Sequence, residues 1–189
     1  MLEKVIMAGF GGQGLLFMGK LVAQIMMEQG RHVTYFPSYG AEVRGGTANC
    51  HVILSDEEIY CPVVETANSL VIMNTPSYIR FAGCLAPDGL MFLNTSIVQD
   101  CKPAGLGTII EIAATDEAND LGSPRVANMV MMGAYIEARN LVPMDVLLSG
   151  LAGVLAGKKA EMLAVNTAAV RRGQEIIRQL VDSGKLAVR

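Results

Sequence analysis

The chain has 189 residues, of which 51% are hydrophobic and only 17% are charged, and its net charge is −3 at neutral pH. This length is enough for one domain with a substantial core. No run of lysine and arginine occurs, so the composition gives no electrostatic support for binding nucleic acid or an anionic membrane. A chain this apolar either buries nearly all of its hydrophobic surface or covers a face with a partner, and we favour a partner.

The first predicted elements are a strand, a helix and a second strand. Residues 4–8 form a short apolar run that ends in glycines, which is typical of a buried parallel strand. Apolar residues at three-to-four spacing predict a helix over 15–29, and Gly30 closes it. Residues 32–36 predict a strand that stops at Pro37 and lies beside the first one. Together these elements predict a right-handed βαβ unit.

The remaining segments continue the same pattern, without a repeat or a linker. Short apolar runs predict four more strands, at 47–54, 69–73, 89–93 and 108–112. Turn and capping residues predict the helices, near 76–82, from Ser123 and Pro124 to about Arg139, from Pro143, and over Lys159–Val181. We therefore expect a single α/β domain over residues 1–189. It should be a Rossmann-like, doubly wound, mostly parallel sheet with helices on both faces and a helical C-terminal part.

A glycine motif lies between the first strand and the first helix. Gly9, Gly11, Gly12, Gln13 and Gly14 belong to a G-x-G-x-x-G pattern, in which the glycines permit a tight turn and a close approach of the backbone to a diphosphate. An NAD or FAD site also requires a carboxylate at the end of the second strand, about 20 residues on, and none is present there. The motif thus leaves three interpretations open: a dinucleotide site, a site for another phosphate-bearing ligand, or a purely structural turn.

A second glycine-rich segment follows the second strand. Loops after adjacent parallel strands meet at the carboxyl edge of a sheet, so we expect Ser38–Thr47 to lie beside the first glycine turn. Arg44 can hold a phosphate or a carboxylate in a forked contact, and Glu42 can pair with Arg44 or with a partner's polar group. An Arg–Glu pair that only shapes the loop is the alternative.

Little else in the sequence points to chemistry. His32 and His51 have no Ser, Cys or Asp at a telling spacing, so we expect both to be structural. The cysteines are scattered, without C-x-x-C pairs, which predicts buried thiols rather than zinc or iron–sulfur ligands; they are Cys50, Cys61, Cys84 and Cys101. The N-terminus lacks a signal-peptide pattern, and no apolar run reaches the roughly 18 residues that span a bilayer, so we expect a cytoplasmic protein.

At the two glycine-rich segments the sequence resembles a known family. The pairing of GFGGQG (9–14) with SYGAEVRGGTANCHVILSDEEI (38–59) is similar to the gamma subunits of 2-oxoacid:ferredoxin oxidoreductases, and SPRVANMVMMGA (123–134) is similar to the next block of that family. The resemblance covers essentially the whole chain and points to the 2-oxoglutarate or branched-chain 2-oxoacid branch.

The resemblance implies a role in a heteromeric complex. Such complexes oxidatively decarboxylate a 2-oxoacid with coenzyme A, giving an acyl-CoA, carbon dioxide and reduced ferredoxin. Thiamine diphosphate lies between alpha and beta subunits, and iron–sulfur clusters lie in the beta or a ferredoxin-like subunit. The glycine turn would then contact a phosphate of coenzyme A, while Glu42 and Arg44 would face a partner subunit. A free-standing nucleotide-binding enzyme and a non-catalytic assembly scaffold remain alternatives.

Overall fold

The computed structural model describes residues 1–39, 47–99, 107–156 and 160–187. The chain divides into two compact units, a sheet unit over residues 1–111 and a helical unit over residues 112–189. Each unit has its own core, and each is described separately below. That residues 1–189 form a single domain therefore stays a prediction.

A six-stranded sheet dominates the sheet unit. Its strands, in chain order, are β1 (Leu2–Phe10), β2 (His32–Tyr39), β3 (Thr47–Ser55), β4 (Ala67–Ile72), β5 (Leu85–Asn94) and β6 (Thr108–Ile112). Their order across the sheet is β2-β3-β1-β4-β5-β6. β4 pairs in parallel with both β1 and β5, whereas β3 runs antiparallel to both β1 and β2. β1, β2, β4 and β5 therefore run in one direction and β3 runs against them, which confirms the mostly parallel α/β sheet.

The placement of β2 beside β1 was wrong, because β3 lies between them. The connection from Tyr39 to Thr47 is too short for a parallel crossover, so β3 has to return antiparallel along β2. β3 is also buried on both faces, as a central strand should be. β2 continues through Pro37 to Tyr39 instead of stopping there, and an edge strand tolerates proline because it needs no donor on its outer side.

Helices cover both faces of this sheet. The register pairs Met7 with Cys50 and Ile6 with His51, so the two pairs point to opposite faces. α1 (Leu15–Glu28) packs on the Cys50 face, where a Cβ added to Gly19 would overlap the Cys50 sulfur. α2 (Thr75–Phe81) packs on the other face, followed by a 3-10 turn at Ala82–Cys84. Its Phe81 belongs to an apolar cluster that includes Ile6.

The helical unit contains α3 (Ala114–Asp120), α4 (Ala127–Arg139), α5 (Met144–Leu155) and α6 (Ala160–Asp182). The predicted helix after Ser123 begins with a 3-10 turn at Pro124–Val126, and the Ser123 side chain makes no capping hydrogen bond. α3 was not predicted, because its polar sequence ATDEAND has no apolar periodicity. The predicted final helix began at Lys159, which lies outside the described residues.

The centre of the helical unit is the contact between α4 and α6. Gly133 of α4 lies where a Cβ would overlap the carbonyl oxygen of Val170, and Gly173 of α6 lies where one would overlap the carbonyl oxygen of Val130. The two helix backbones therefore touch through paired glycines. Along α6, Ala169, Val170 and Ile177 are buried, whereas Met162 is exposed.

Candidate functional site

The candidate site is the glycine turn, residues 9–14, between β1 and α1. Gly12 and Gly14 have φ angles of 98° and 74°, a region that favours glycine. The amide of Gln13 donates to the carbonyl of Phe10 at 3.2 Å, which closes the turn. Gly11 and Gly12 are exposed, and a Cβ added to Gly12 would have no atom within 4 Å. This part of the turn therefore presents bare backbone to the outside.

The side chain of Gln13 stabilises the turn through two hydrogen bonds. Its Oε1 accepts the amide hydrogen of Phe10 at 2.7 Å, and its Nε2 donates to the carbonyl of Met73 at 3.4 Å. A Cβ added to Gly9 would come within 2.5 Å of that Oε1, 2.6 Å of Leu15 Cδ1 and 2.9 Å of Met73 Cβ. Gly9 and Gln13 thus hold the turn against the end of β4, while Gly11 and Gly12 face outward.

The turn leads into a helix N-terminus without a compensating negative charge. Gly14 is the N-cap of α1, no side chain caps the helix, and its first turn carries no acidic residue. The first amides of a helix have no acceptor within it, and the helix dipole adds a partial positive charge there. For α1 these are the amides of Leu15, Leu16 and Phe17. The arrangement is suited to a phosphate or a carboxylate.

Two asparagines lie at the same carboxyl edge of the sheet and were not predicted. Asn74 follows β4, and its Oδ1 accepts the amide hydrogen of Ser77 at 2.8 Å, which caps α2. Its Nδ2 is buried and has no hydrogen-bond partner. Asn94 ends β5, and its carbonyl accepts the amides of Ile97 and Val98. The sequence Asn-Thr-Pro is a recognisable helix start and could have drawn attention to Asn74.

Glu42 and Arg44 lie outside the described residues. The strands on either side of them are described: the register places Thr47 opposite Phe10, and Ala48 opposite both Gly9 and Tyr39. The end of β2 and the start of β3 are thus at the sheet edge that carries the glycine turn. The predicted roles of Glu42 and Arg44 stay predictions.

A family model described as pyruvate ferredoxin/flavodoxin oxidoreductase matches residues 4–176 of this chain. The chain belongs to this oxidoreductase family. The match includes the glycine turn, nearly all of the sheet and most of the helical unit, in agreement with the resemblance found in the sequence.

Relatives in the oxidoreductase family carry this region in chains of different length. The ketoisovalerate oxidoreductase subunit VorA of Methanothermobacter marburgensis is 40% identical over 133 residues, which are 70% of this chain but 28% of VorA. A structure of the 2-oxoglutarate:ferredoxin oxidoreductase of Magnetococcus marinus, with 2-oxoglutarate, coenzyme A and succinyl-CoA bound, has a TM-score of 0.87 at 24% identity. The structural match covers 100% of this chain and 32% of the Magnetococcus chain.

A gamma subunit of a keto/oxoacid ferredoxin oxidoreductase from Geobacter sulfurreducens has a TM-score of 0.78 at 24% identity. The likeness covers 94% of this chain and 99% of that one. At this identity the two structures establish a shared fold. This fold therefore occurs both as nearly the whole of one chain and as about a third of a longer chain.

The cysteines of this family member do not form a site in the described residues. Cys50 is buried, its thiol donates to the carbonyl of Leu15 at 3.6 Å, and burial raises its pKa to about 12, so it stays protonated. Cys61 is exposed and Cys84 is half-buried, so the prediction of buried thiols was wrong for Cys61, and Cys101 lies outside the described residues. Over the described ranges no three His, Cys, Asp or Glu side chains are grouped as a metal site. None of the described helices combines the length and the apolar character that crossing a membrane requires.

Neither histidine lies at the glycine turn. His32, at the start of β2, is exposed. The Nδ1 of His51, on β3, accepts the amide hydrogen of Val64 at 3.0 Å, and the ring packs edge-on against Phe36 and Phe81. Burial, and secondarily the charge of Arg80, lower the pKa of His51. These contacts fit the structural role predicted for His51.

Proposed function

We propose that this chain is the gamma subunit of a multi-subunit 2-oxoacid:ferredoxin oxidoreductase. The complex would oxidatively decarboxylate a 2-oxoacid, 2-oxoglutarate or a branched-chain one, with coenzyme A to an acyl-CoA, carbon dioxide and reduced ferredoxin. The observation that carries the proposal is the family match over residues 4–176, which contains a glycine turn with exposed backbone. The activity belongs to the assembled complex, so the isolated chain is expected to be colourless and inactive.

The chemistry is divided among subunits in this proposal. Thiamine diphosphate and the iron–sulfur clusters would reside in alpha, beta and ferredoxin-like partners. The present chain contributes binding surface and orientation. The matched region is 28% of the length of VorA. This supports direct contact with such a partner, because in VorA the region is covalently joined to the rest of a longer oxidoreductase chain.

The glycine turn would hold a phosphate group of coenzyme A. Gly11 and Gly12 leave room for an oxygen to approach the backbone, and the amides of Leu16 and Phe17 at the start of α1 point to the same end of the helix. Gly9 and Gln13 would act indirectly, by fixing the turn against Met73. Glu42 and Arg44 would complete the site from the neighbouring segment or contact the partner.

The scaffold alternative also has a specific observation in its favour. The contacts of Gly9 and Gln13 show that part of the glycine motif serves close packing between β1, α1 and the end of β4. In a scaffold this packing would be the whole purpose of the motif, and coenzyme A would bind elsewhere. The two functions therefore make different predictions for the exposed glycines, which contact coenzyme A in the first and no ligand in the second.

Replacement of Gly12 by leucine in the reconstituted complex separates these functions. A side chain at this exposed position would block the backbone amides, so the KM for coenzyme A should rise about tenfold, as expected for the loss of a charge-assisted hydrogen bond, with the KM for the 2-oxoacid unchanged. Gly30→Leu is the matched control, because Gly30 also has a positive φ, of 77°, and open space around its Cβ, but lies at the other end of α1. Equal changes in the two variants would favour the scaffold.

A further inference from the structure

Three segments of the sheet unit meet at the His51 side chain. The ring centroid of His51 lies 6.4 Å from that of Phe36 on β2 and 6.5 Å from that of Phe81 on α2, both in edge-to-face geometry. The segment 59–64, between β3 and β4, is held by the hydrogen bond from the Val64 amide to His51 Nδ1. His51 thus ties a strand, a helix and a connection into one surface.

Each of these segments carries exposed hydrophobic side chains. Phe36 on β2, Tyr60 and Val63 on the segment 59–64, and Ile79 on α2 have between 44% and 91% of their surface exposed. We call these four side chains the His51 patch. α2 buries Ser77 and Phe81 on the face that packs against the sheet, whereas Ile79 is an exposed apolar residue of the same short helix. Exposed apolar groups that gather in this way mark interaction surfaces.

The charges around the His51 patch are mostly negative. Glu57, Glu58 and Glu65 are exposed on either side of the segment 59–64, and Glu58 accepts a hydrogen bond from the Tyr60 hydroxyl at 3.2 Å. The nearby Arg80 is held over the Phe81 ring, 5.1 Å from its centroid. Acidic groups repel an anionic lipid surface and attract a protein whose apolar centre is surrounded by lysine and arginine.

From these observations we infer that the His51 patch docks another chain of the same oxidoreductase, which presents an apolar centre with a basic rim. The inference rests on the proposed function and adds a contact surface to it. The choice of partner follows from the relatives: the same region is 28% of VorA and 32% of the Magnetococcus chain, so the rest of those chains is a protein neighbour available to cover it. α2 begins at Thr75, two residues after Met73, whose carbonyl accepts a hydrogen bond from Gln13 of the glycine turn, so the start of α2 lies at the same sheet edge as that turn.

Site-specific photo-crosslinking of the native complex tests the contact. The full chain is tagged in its own host, with p-benzoylphenylalanine at position 79 or, as a control, at position 27. Met27 on α1 is comparably exposed, 63% against 77% for Ile79, but lies on the other side of the sheet. We expect Ile79→p-benzoylphenylalanine to crosslink to one co-purified oxidoreductase chain, at a peptide that contains lysine or arginine. Crosslinking only to a second copy of this chain, or equally from both positions, would overturn the inference.

Binding measurements with the purified partner chains provide the second arm. Ile79→Asp should weaken association about tenfold, as truncation of an interface anchor does, while Met27→Asp stays within about twofold. The double charge reversal Glu57→Lys and Glu65→Lys should slow association at low salt and have less effect at high salt. If all variants bind like the wild type in an active complex, the patch is not the interface, although the proposed function stands. If tagged wild-type chain brings down no oxidoreductase chain, the proposed function fails, and this inference fails with it.

Discussion

Gly12 in the sheet unit and the paired glycines of the helical unit use the absence of a side chain for opposite purposes. At Gly12 the absent side chain leaves the backbone open, with no atom within 4 Å of a Cβ position. At Gly133 and Gly173 the absent side chains let two helix backbones touch. The first use leaves polar backbone groups exposed, whereas the second buries backbone inside a core. A glycine count therefore says little until the surroundings of each glycine are known.

The largest effect is expected in the helical unit. Gly133→Ala forces a Cβ into the carbonyl of Val170, and backbone atoms of a packed helix pair can only move apart together. We expect the free energy of unfolding to fall by about 3 kcal/mol, at the upper end of typical overpacking costs. Urea unfolding followed by circular dichroism measures this loss as a lower midpoint.

Gly153→Ala in α5 is the matched control for Gly133→Ala, because a Cβ at Gly153 meets no atom within 4 Å. Alanine is the better helix former, so this variant should be as stable as the wild type, or more stable by up to about 1 kcal/mol. Similar losses from both variants would show that α4 and α6 do not depend on backbone contact.

A smaller effect is expected inside the glycine turn itself, where Gly9 is packed although Gly12 is open. Gly9→Ala places a Cβ against Gln13, Leu15 and Met73. The tips of the first two side chains can shift, but Met73 Cβ is fixed to the backbone of the β4 end, so we expect a loss of about 2 kcal/mol in the free energy of unfolding. The same urea titration applies, with Gly83→Ala as control, since nothing lies within 4 Å there. A neutral Gly9→Ala would show that the whole motif is as open as Gly12.

The sequence predicted some of these features and not others. Local patterns succeeded: spacing located β1, α1 and the glycine turn, because each depends on neighbours in the sequence. Contacts between distant residues did not. The insertion of β3 beside β1, the bracing of Gln13 against Met73 and the pairing of Gly133 with Val170 all join segments that are close only in the folded chain. The segment with Glu42 and Arg44 was singled out from its glycines and its charged side chains, and both residues lie outside the described residues.

The two units also differ in how their contacts should respond to pH, and this is the smallest of the effects that we expect. In the helical unit Arg172 of α6 binds Glu117 of α3 through two hydrogen bonds of 2.6 and 3.1 Å. Hydrogen bonds to Glu117 and Glu175 raise the pKa of Arg172, so it stays charged at all ordinary pH values. In the sheet unit the segment 59–64 depends on a neutral His51, whose Nδ1 accepts the Val64 amide. A histidine titrates near neutral pH, so only the second contact should respond to mild acid.

The sign follows from the lowered pKa of His51. Its pKa in the folded chain lies below the unfolded value of 6.5, because burial and the nearby Arg80 disfavour the imidazolium. The Val64 bond is therefore fully stabilising above pH 6.5, and its contribution is lost as the pH falls from 6.5 through the folded-state pKa. One hydrogen bond to a half-exposed ring contributes at most about 1 kcal/mol, so we expect local loosening of segment 59–64 rather than unfolding. Hydrogen exchange measures this loosening as a lower protection factor of the Val64 amide at pH 5 than at pH 7.5. His51→Gln, which keeps an acceptor but cannot titrate, should remove the pH dependence, and a protection factor that falls equally in both proteins would assign the loosening to another group.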